Sequence, residues 1–246
     1  MISLQNINKS YNGKGVLHGV SLKIPKAKTV SLIGPSGCGK STLLRIAMGL
    51  IHQDSGTVHI DGSELTSQNM LETRRKMGYV VQKGGLFPHL TARENCTLVT
   101  QYLNWDSERI EARIQELASL VKIEIGELDR LPNNLSGGQQ QRISLIRALM
   151  LDPEIIVLDE PLGSIDPLVR YELQADLKYI FISLKKTVLL VTHDLGEAAY
   201  LGDEIVLMKE GNVVQRGSIQ EIVKQPANSF VERFVNAQRS PLMEFD

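Results

Sequence analysis

Gly34-Pro35-Ser36-Gly37-Cys38-Gly39-Lys40-Ser41-Thr42 is the stretch on which the reading of this chain turns. It has a glycine, four variable residues, then Gly-Lys-Ser, the pattern of a phosphate-binding loop. An apolar run, Val30-Ser31-Leu32-Ile33, leads into it, and a helix-like run, Leu43 to Met48, leads out. The glycines let backbone N–H groups crowd around an anion with no Cβ in the way. The helix beginning near Lys40 adds the positive end of its dipole. Lys40 supplies a point charge for the β- and γ-phosphates, and the Ser41 hydroxyl is placed to ligate Mg²⁺. The stretch therefore implies a site for a nucleoside triphosphate.

Composition narrows what surrounds that site. The 246 residues suffice for one large domain or two small ones. Net charge is −1, so bulk electrostatics offers no case for nucleic-acid binding. No apolar run approaches the roughly 20 residues of a membrane helix. The N-terminus lacks a basic segment followed by an apolar one, so it does not read as a secretory signal. Two cysteines, Cys38 and Cys96, make no disulfide framework. The expectation is a cytoplasmic protein whose role at a membrane would come through a partner.

Along the chain, the first 30 residues read as antiparallel strands. Val20-Ser21-Leu22-Lys23-Ile24 alternates and Pro25 ends it. Thr57-Val58-His59-Ile60 runs into an Asp61-Gly62 turn, and Met77 to Val81 is a short strand delivering Gln82. From about 91 to 150 the pattern is helical, with Ile110, Ile114, Leu117 and Val121 behind a candidate N-cap, Asp106. Ile155 to Leu158 and Val188 to Val191 are continuous apolar runs, the mark of parallel strands covered on both faces. Ser218-x-x-Glu221 and Ser229-x-x-Glu232 predict two capped helices near the end. The chain reads as an α/β core interrupted by a helical insertion.

Two further motifs carry chemistry. Leu158-Asp159-Glu160-Pro161 closes an apolar strand, so its carboxylates lie where open α/β sheets bind ligands. Asp159 is the candidate for holding Mg²⁺, and Glu160 for orienting or deprotonating a water beside the γ-phosphate. Leu135-Ser136-Gly137-Gly138-Gln139 precedes a helical run from Gln139 to Leu151. That makes a second helix N-terminus with bare N–H groups, which suits a second phosphate, although Ser-Gly-Gly alone is more often a plain turn.

This order of motifs resembles the nucleotide-binding domain of ATP-binding cassette (ABC) transporters, over essentially the whole chain from Tyr11 to about Ser229. The resemblance implies a P-loop NTPase (RecA-like) α/β core with an N-terminal antiparallel β subdomain and an inserted α-helical subdomain. The expected boundaries are 1–84 and 152–235 for core and β subdomain, about 85–151 for the helical subdomain, and 236–246 for a tail. It implies that Tyr11, otherwise a strand-edge tyrosine, stacks on adenine, and that Val16 packs beside base and ribose. Gln82 would reach Mg²⁺ and the attacking water, and His193 would contact the γ-phosphate. Ser136, Gly137, Gly138 and Gln139 would cover the ATP of a second copy in a head-to-tail homodimer. Asp166 ends a D-loop, Pro161 to Asp166, in which Gly163 stands where the family has serine.

The segment after Gln82, Lys83-Gly84-Gly85-Leu86-Phe87-Pro88-His89-Leu90-Thr91, is similar to importer ATPases. There it receives a helix of the membrane permease; it could equally be a buried hinge. Arg74 to Gln82 with Gly85 to His89 looks most like the ATPases of osmoprotectant importers (glycine betaine, choline, carnitine). Polar amino-acid and methionine importers share much of this, and a soluble ABC ATPase is the rival class. The importer resemblance implies a peripheral position on the inner face of the cell membrane. It also implies a substrate-binding protein as an indirect partner and no nucleic acid. The osmoprotectant group often has a C-terminal regulatory module, for which a chain ending at Asp246 is too short.

Overall fold

The computed structural model describes residues 1–82, 85–163 and 165–238. In chain order, β1 is Ile2–Tyr11, β2 Lys14–Ile24, β3 Thr29–Ile33, α1 Lys40–Ala47, β4 Ser55–Ile60 and β5 Ser63–Glu64. Then come α2 Met70–Arg75, β6 Met77–Val80, α3 Ala92–Tyr102, α4 Ser107–Leu120 and α5 Gly137–Leu149. The remainder is β7 Ile155–Asp159, α6 Pro167–Ser183, β8 Thr187–Val191, α7 Leu195–Leu201, β9 Glu204–Lys209, β10 Asn212–Gly217, α8 Ile219–Lys224 and α9 Ser229–Ala237. These elements fall into two compact units. One comprises Met1–Met70 with the chain from Thr187 onward, the other Leu71–Lys186.

The first unit holds an antiparallel sheet in the order β2-β1-β4-β5. Its central strand, β1, sets Ile2 opposite Ile24 on one side and Ile60 on the other. Val20, Leu22 and Ile24 point inward and Ser21 and Lys23 outward, as the alternation predicts. Asn12 and Gly13 take φ of 50° and 76° to turn β1 into β2, a conformation these two residue types adopt readily. The same unit holds β3 between parallel neighbours β8 and β9, with β10 antiparallel to β9. Every residue of β3 and β8 is buried. On this sheet a cluster forms from Ile33, Leu195, Ala198, Ile205 and Leu207 with Val231 and Val235 of α9.

The second unit pairs β6 parallel to β7, and β7 is buried throughout. Helix α5 packs so close to β6 that a Cβ on Gly78 would stand 2.4 Å from the carbonyl oxygen of Ala148. Asp106 caps α4 as expected, accepting from the N–H groups of Glu108 and Arg109. Ile114, Leu117 and Val121 are buried behind it. Helix α5 starts at Gly137, two residues before the predicted Gln139, because Ser136 is already its N-cap. One expectation is corrected. The Ser218–Glu221 capping box exists, but Ser229 does not cap α9. Asn228 does, accepting from the N–H groups of Phe230 and Val231, which makes Ser229 the first helical residue. Asparagine is at least as good an N-cap as serine, and it stands one residue earlier.

Candidate functional site

In the first unit, the loop between β3 and α1 is shaped by its glycines. Gly34 has φ 147° and a Cβ there would stand 2.2 Å from the Met208 carbonyl oxygen. Gly39 has φ 103°, with Leu17 and the Val16 carbonyl 2.8 and 3.0 Å from the place of its Cβ. No L side chain fits either position without moving backbone. The loop is anchored by Gly211, whose N–H donates to the Cys38 carbonyl at 3.1 Å. Pro35, Ser36 and Gly37 form its exposed crest, while Gly34, Cys38, Gly39 and Lys40 are buried beneath. The Lys40 ammonium donates to the carbonyls of Gly34 and Pro35 at 2.7 and 3.0 Å. Burial raises the Cys38 thiol above its ordinary range despite the charge of Lys40 beside it, so this cysteine stays a thiol at neutral pH.

Val16, Gly37, Gly39, Lys40, Ser41 and Thr42 line one cavity of about 140 Å³. The structure therefore brings Val16 to the loop. That volume is below the ~300 Å³ of a typical small-ligand pocket. Tyr11 stands at the end of β1, 46% exposed, with the Lys9 ammonium 5.3 Å from its ring centre. His193 is exposed on the loop between β8 and α7.

In the second unit, Asp159 is buried at the C-terminal end of β7. The next residue, Glu160, has φ 47°, a left-handed conformation rare outside glycine, asparagine and aspartate. Among the described residues nine other non-glycine positions share it, Ala27, Lys122 and Glu210 among them, so the conformation is a backbone cost at Glu160 and does not by itself mark a site. The Gln82 amide donates to Glu160 Oε2 at 2.9 Å, joining two of the expected residues. Asp166 caps α6, accepting from the Leu168 N–H at 3.0 Å. A Cβ at Gly163 would meet Glu160 only at ordinary contact distance, 3.6 Å. Ser164 of the D-loop lies outside the described residues, as do Lys83 and Gly84 of the segment after Gln82 and residues 239–246 of the expected tail.

The Ser136 turn is a full capping box. Ser136 Oγ accepts from the Gln139 N–H, and Gln139 Oε1 accepts from the Ser136 N–H at 2.7 Å. The amide nitrogen of Gln139 donates to Glu127. The Gln139 side chain is thus spent inside its own unit. The two glycines have different duties. Gly138 is buried with Val169 2.5 Å from where a Cβ would sit, whereas nothing lies within 4 Å of one on exposed Gly137.

Sequence reasoning missed three residues. Asn95 is fully buried. Its amide accepts from the Phe87 N–H and donates to the carbonyls of Phe87, Leu90 and Thr91. It holds the loop on which Phe87 stands 44% exposed. A polar residue within the buried stripe Ala92, Asn95, Cys96 was the available signal. Glu127 and Gln238 left none. Among the described residues no cluster of three or more His, Cys, Asp or Glu is placed to hold a metal. Nor is any helix among them long and apolar enough to cross a membrane.

A buried parallel strand, a glycine loop wrapped around its own lysine and a following helix define a P-loop nucleoside triphosphatase fold. The chain belongs to the ABC transporter family, whose model matches residues 17–163. The glycine betaine/carnitine/choline transport ATP-binding protein OpuCA of Bacillus subtilis is 45% identical over 240 residues. That alignment covers 97% of this chain and 63% of OpuCA, so the chain spans about three fifths of that relative's length. The glycine betaine uptake system ATP-binding protein YehX of Escherichia coli is 41% identical over 234 residues, 95% of this chain and 76% of YehX. A dimeric, post-hydrolysis structure of an ATP-binding cassette bound to ADP and Pi superposes with a TM-score of 0.81. It is 34% identical and covers 89% of this chain and 99% of that one.

Proposed function

We propose that this chain is the ATP-binding and ATP-hydrolysing subunit that powers a membrane importer for a small polar solute such as glycine betaine or choline. The observation that carries the hydrolytic part is the hydrogen bond from Gln82 to Glu160, just past the end of β7. A carboxylate at the C-terminal end of a buried parallel strand, oriented by an amide, suits a group that must meet a water in one geometry. The names of OpuCA and YehX support the importer and its cargo class.

Two copies pack head to tail, and each phosphate loop is covered by Ser136 and Gly137 of the other. The dimeric form of the similar ATP-binding cassette bound to ADP and Pi supports this. Tyr11 and Val16 take the base and ribose, and the N–H groups of residues 34 to 42, with Lys40, take the phosphates. Lys40 then trades the Gly34 and Pro35 carbonyls for phosphate oxygens. Ser41, Gln82 and Asp159 would hold Mg²⁺; their donors are all oxygens, as a hard cation prefers. When bound, that ion neutralises charge building on the β- and γ-phosphates. Glu160 draws a proton from the attacking water while His193 holds the γ-phosphate, and Asp166 reports closure to the partner site. Gly138 and Gln139 shape the covering turn.

The permease docks near Gln82–Thr91, where Phe87 is exposed; the substrate-binding protein joins through the permease and nucleic acid takes no part. The subunit then sits on the inner face of the cell membrane. We assign 1–84 and 152–235 to core and β subdomain, about 85–151 to the helical subdomain and 236–246 to a tail.

The test is an affinity capture of tagged Glu160→Gln protein from gently solubilised membranes with ATP present, read by mass spectrometry. A polytopic permease among the recovered proteins is expected, and its binding protein then defines the cargo, osmoprotectant or amino acid. Recovery of soluble partners alone, with the protein folded and ATP-bound, overturns the importer reading in favour of a soluble ABC ATPase.

A further inference from the structure

The loop that carries His193 is fixed by hydrogen bonds, and its two outermost come from far along the chain. The Asp194 N–H donates to Thr192 Oγ1 at 3.1 Å, and that hydroxyl donates to Glu197 at 2.7 Å. Asp194 in turn accepts from the Glu197 N–H at 2.8 Å. These bonds leave unanswered the carbonyl of His193 and the N–H of Leu195, the first residue of α7, whose N–H has no partner inside its own helix. Gln238, at the end of α9, meets both. Its amide nitrogen donates to the His193 carbonyl at 2.8 Å, and its amide oxygen accepts from the Leu195 N–H at 2.7 Å. The two partners dictate which way the amide points, since one is an acceptor and the other a donor.

Gln238 reaches this position because α9 is docked. Val231 and Val235 are buried in the same cluster as Leu195 and Ala198, which lie just beyond His193. The imidazole itself is exposed.

We infer that Gln238 is a positioning residue for His193: its amide clamps the backbone on both sides of Asp194 and so couples the docking of α9 to the placement of the imidazole. This rests on the role given to His193 above. An ångström of misplacement at a reacting group costs on the order of 100-fold in rate, and loss of one clamp shifts the loop by a fraction of that. Gln238→Ala should lower the kcat for ATP hydrolysis about tenfold and leave KM for ATP within about twofold, because the phosphate loop is untouched. Gln238→Glu keeps the acceptor for Leu195 but sets a carboxylate oxygen against the His193 carbonyl, so it should fail to rescue. The deciding measurement is a double-mutant cycle in the purified full-length chain. On a His193→Ala background, Gln238→Ala should cost nothing further. Two independent losses that multiply, or a lowered melting temperature with kcat intact, would overturn the clamp and leave α9 a merely structural helix. If His193→Ala itself hydrolyses ATP at the wild-type rate, the role of His193 fails and the inference falls with it. A collapsed His193→Ala beside a fully active Gln238→Ala sinks the inference alone.

Discussion

Glu160 offers a test that separates the cost of its backbone conformation from the chemistry of its carboxylate. Its φ of 47° places a branched-free but Cβ-bearing residue in the left-handed region. That conformation costs a non-glycine residue about 1–2 kcal/mol. Glycine escapes the cost but loses about 0.5–1 kcal/mol more conformational freedom on folding. The comparison of Glu160→Ala with Glu160→Gly isolates the backbone, since both lose the carboxylate and its bond to Gln82. Glu160→Gly should be the more stable of the two by about 1 kcal/mol, or about 2–4 °C in melting temperature for a chain of this size. Neither should hydrolyse ATP. Differential scanning calorimetry at matched concentration, with a steady-state phosphate-release assay alongside, reads both quantities. If Glu160→Ala melts at or above Glu160→Gly, the backbone at 160 is not strained. The left-handed cost assigned to Glu160 would then be refuted.

Three other outcomes follow from the geometry. Gly39→Ala should weaken ATP binding by more than tenfold in calorimetric titration, because its Cβ meets Leu17 and the Val16 carbonyl; Gly37→Ala, with nothing within 4 Å of its Cβ, should lose less. Asn95→Ala removes four hydrogen bonds to the 87–91 loop; the Phe87 and Thr91 carbonyls keep the N–H groups of Leu90 and residue 95, whereas the Phe87 N–H and the Leu90 carbonyl lose their side-chain partner. At about 1–3 kcal/mol for an unmet buried polar group, the urea midpoint should drop clearly; a change within error would mean that water replaces the side chain freely. Asp54 is held at about 2, against an ordinary 3.8, by hydrogen bonds from Lys9 and Ser10. Lys186 likewise lowers Asp152, and the Ser218 N–H and hydroxyl lower Glu221. These carboxyls bind fewer protons folded than unfolded, so their stabilisation is present above the ordinary carboxylate range and disappears as pH falls through their folded values. Melting temperature should hold from neutral pH to about 5 and decline below about 4, with a shallower decline in Asp54→Asn.

The parts of this fold that were legible in the sequence are those written in local chemistry. The glycine loop, the buried strands Ile155 to Leu158 and Val188 to Val191, and the caps at Asp106 and Ser218 each depend on residues within a few positions of one another. What escaped was set by distance along the chain or by conformation. Gln238 acts 45 residues from His193, and Glu127 twelve residues before Gln139. No periodicity encodes either. Nor does a glutamate announce a left-handed backbone. The misread cap at Ser229 shows the limit of local rules as well, since two good N-cap residues stood side by side and the earlier one took the helix.

The way Asn95 holds its loop has a consequence for association. An ordered residue costs about 1–2 kcal/mol in backbone entropy, so freezing a floppy five-residue loop on arrival of a partner would cost several kilocalories. Here Asn95 has fixed residues 87 to 91 during folding, and the exposed ring of Phe87 is presented on a scaffold that already has its final shape. A partner seated there meets a preorganised surface, so its affinity is not diminished by ordering the loop. Movement of the ring can then pass into α3, from which Asn95 projects, rather than being absorbed by slack in the loop.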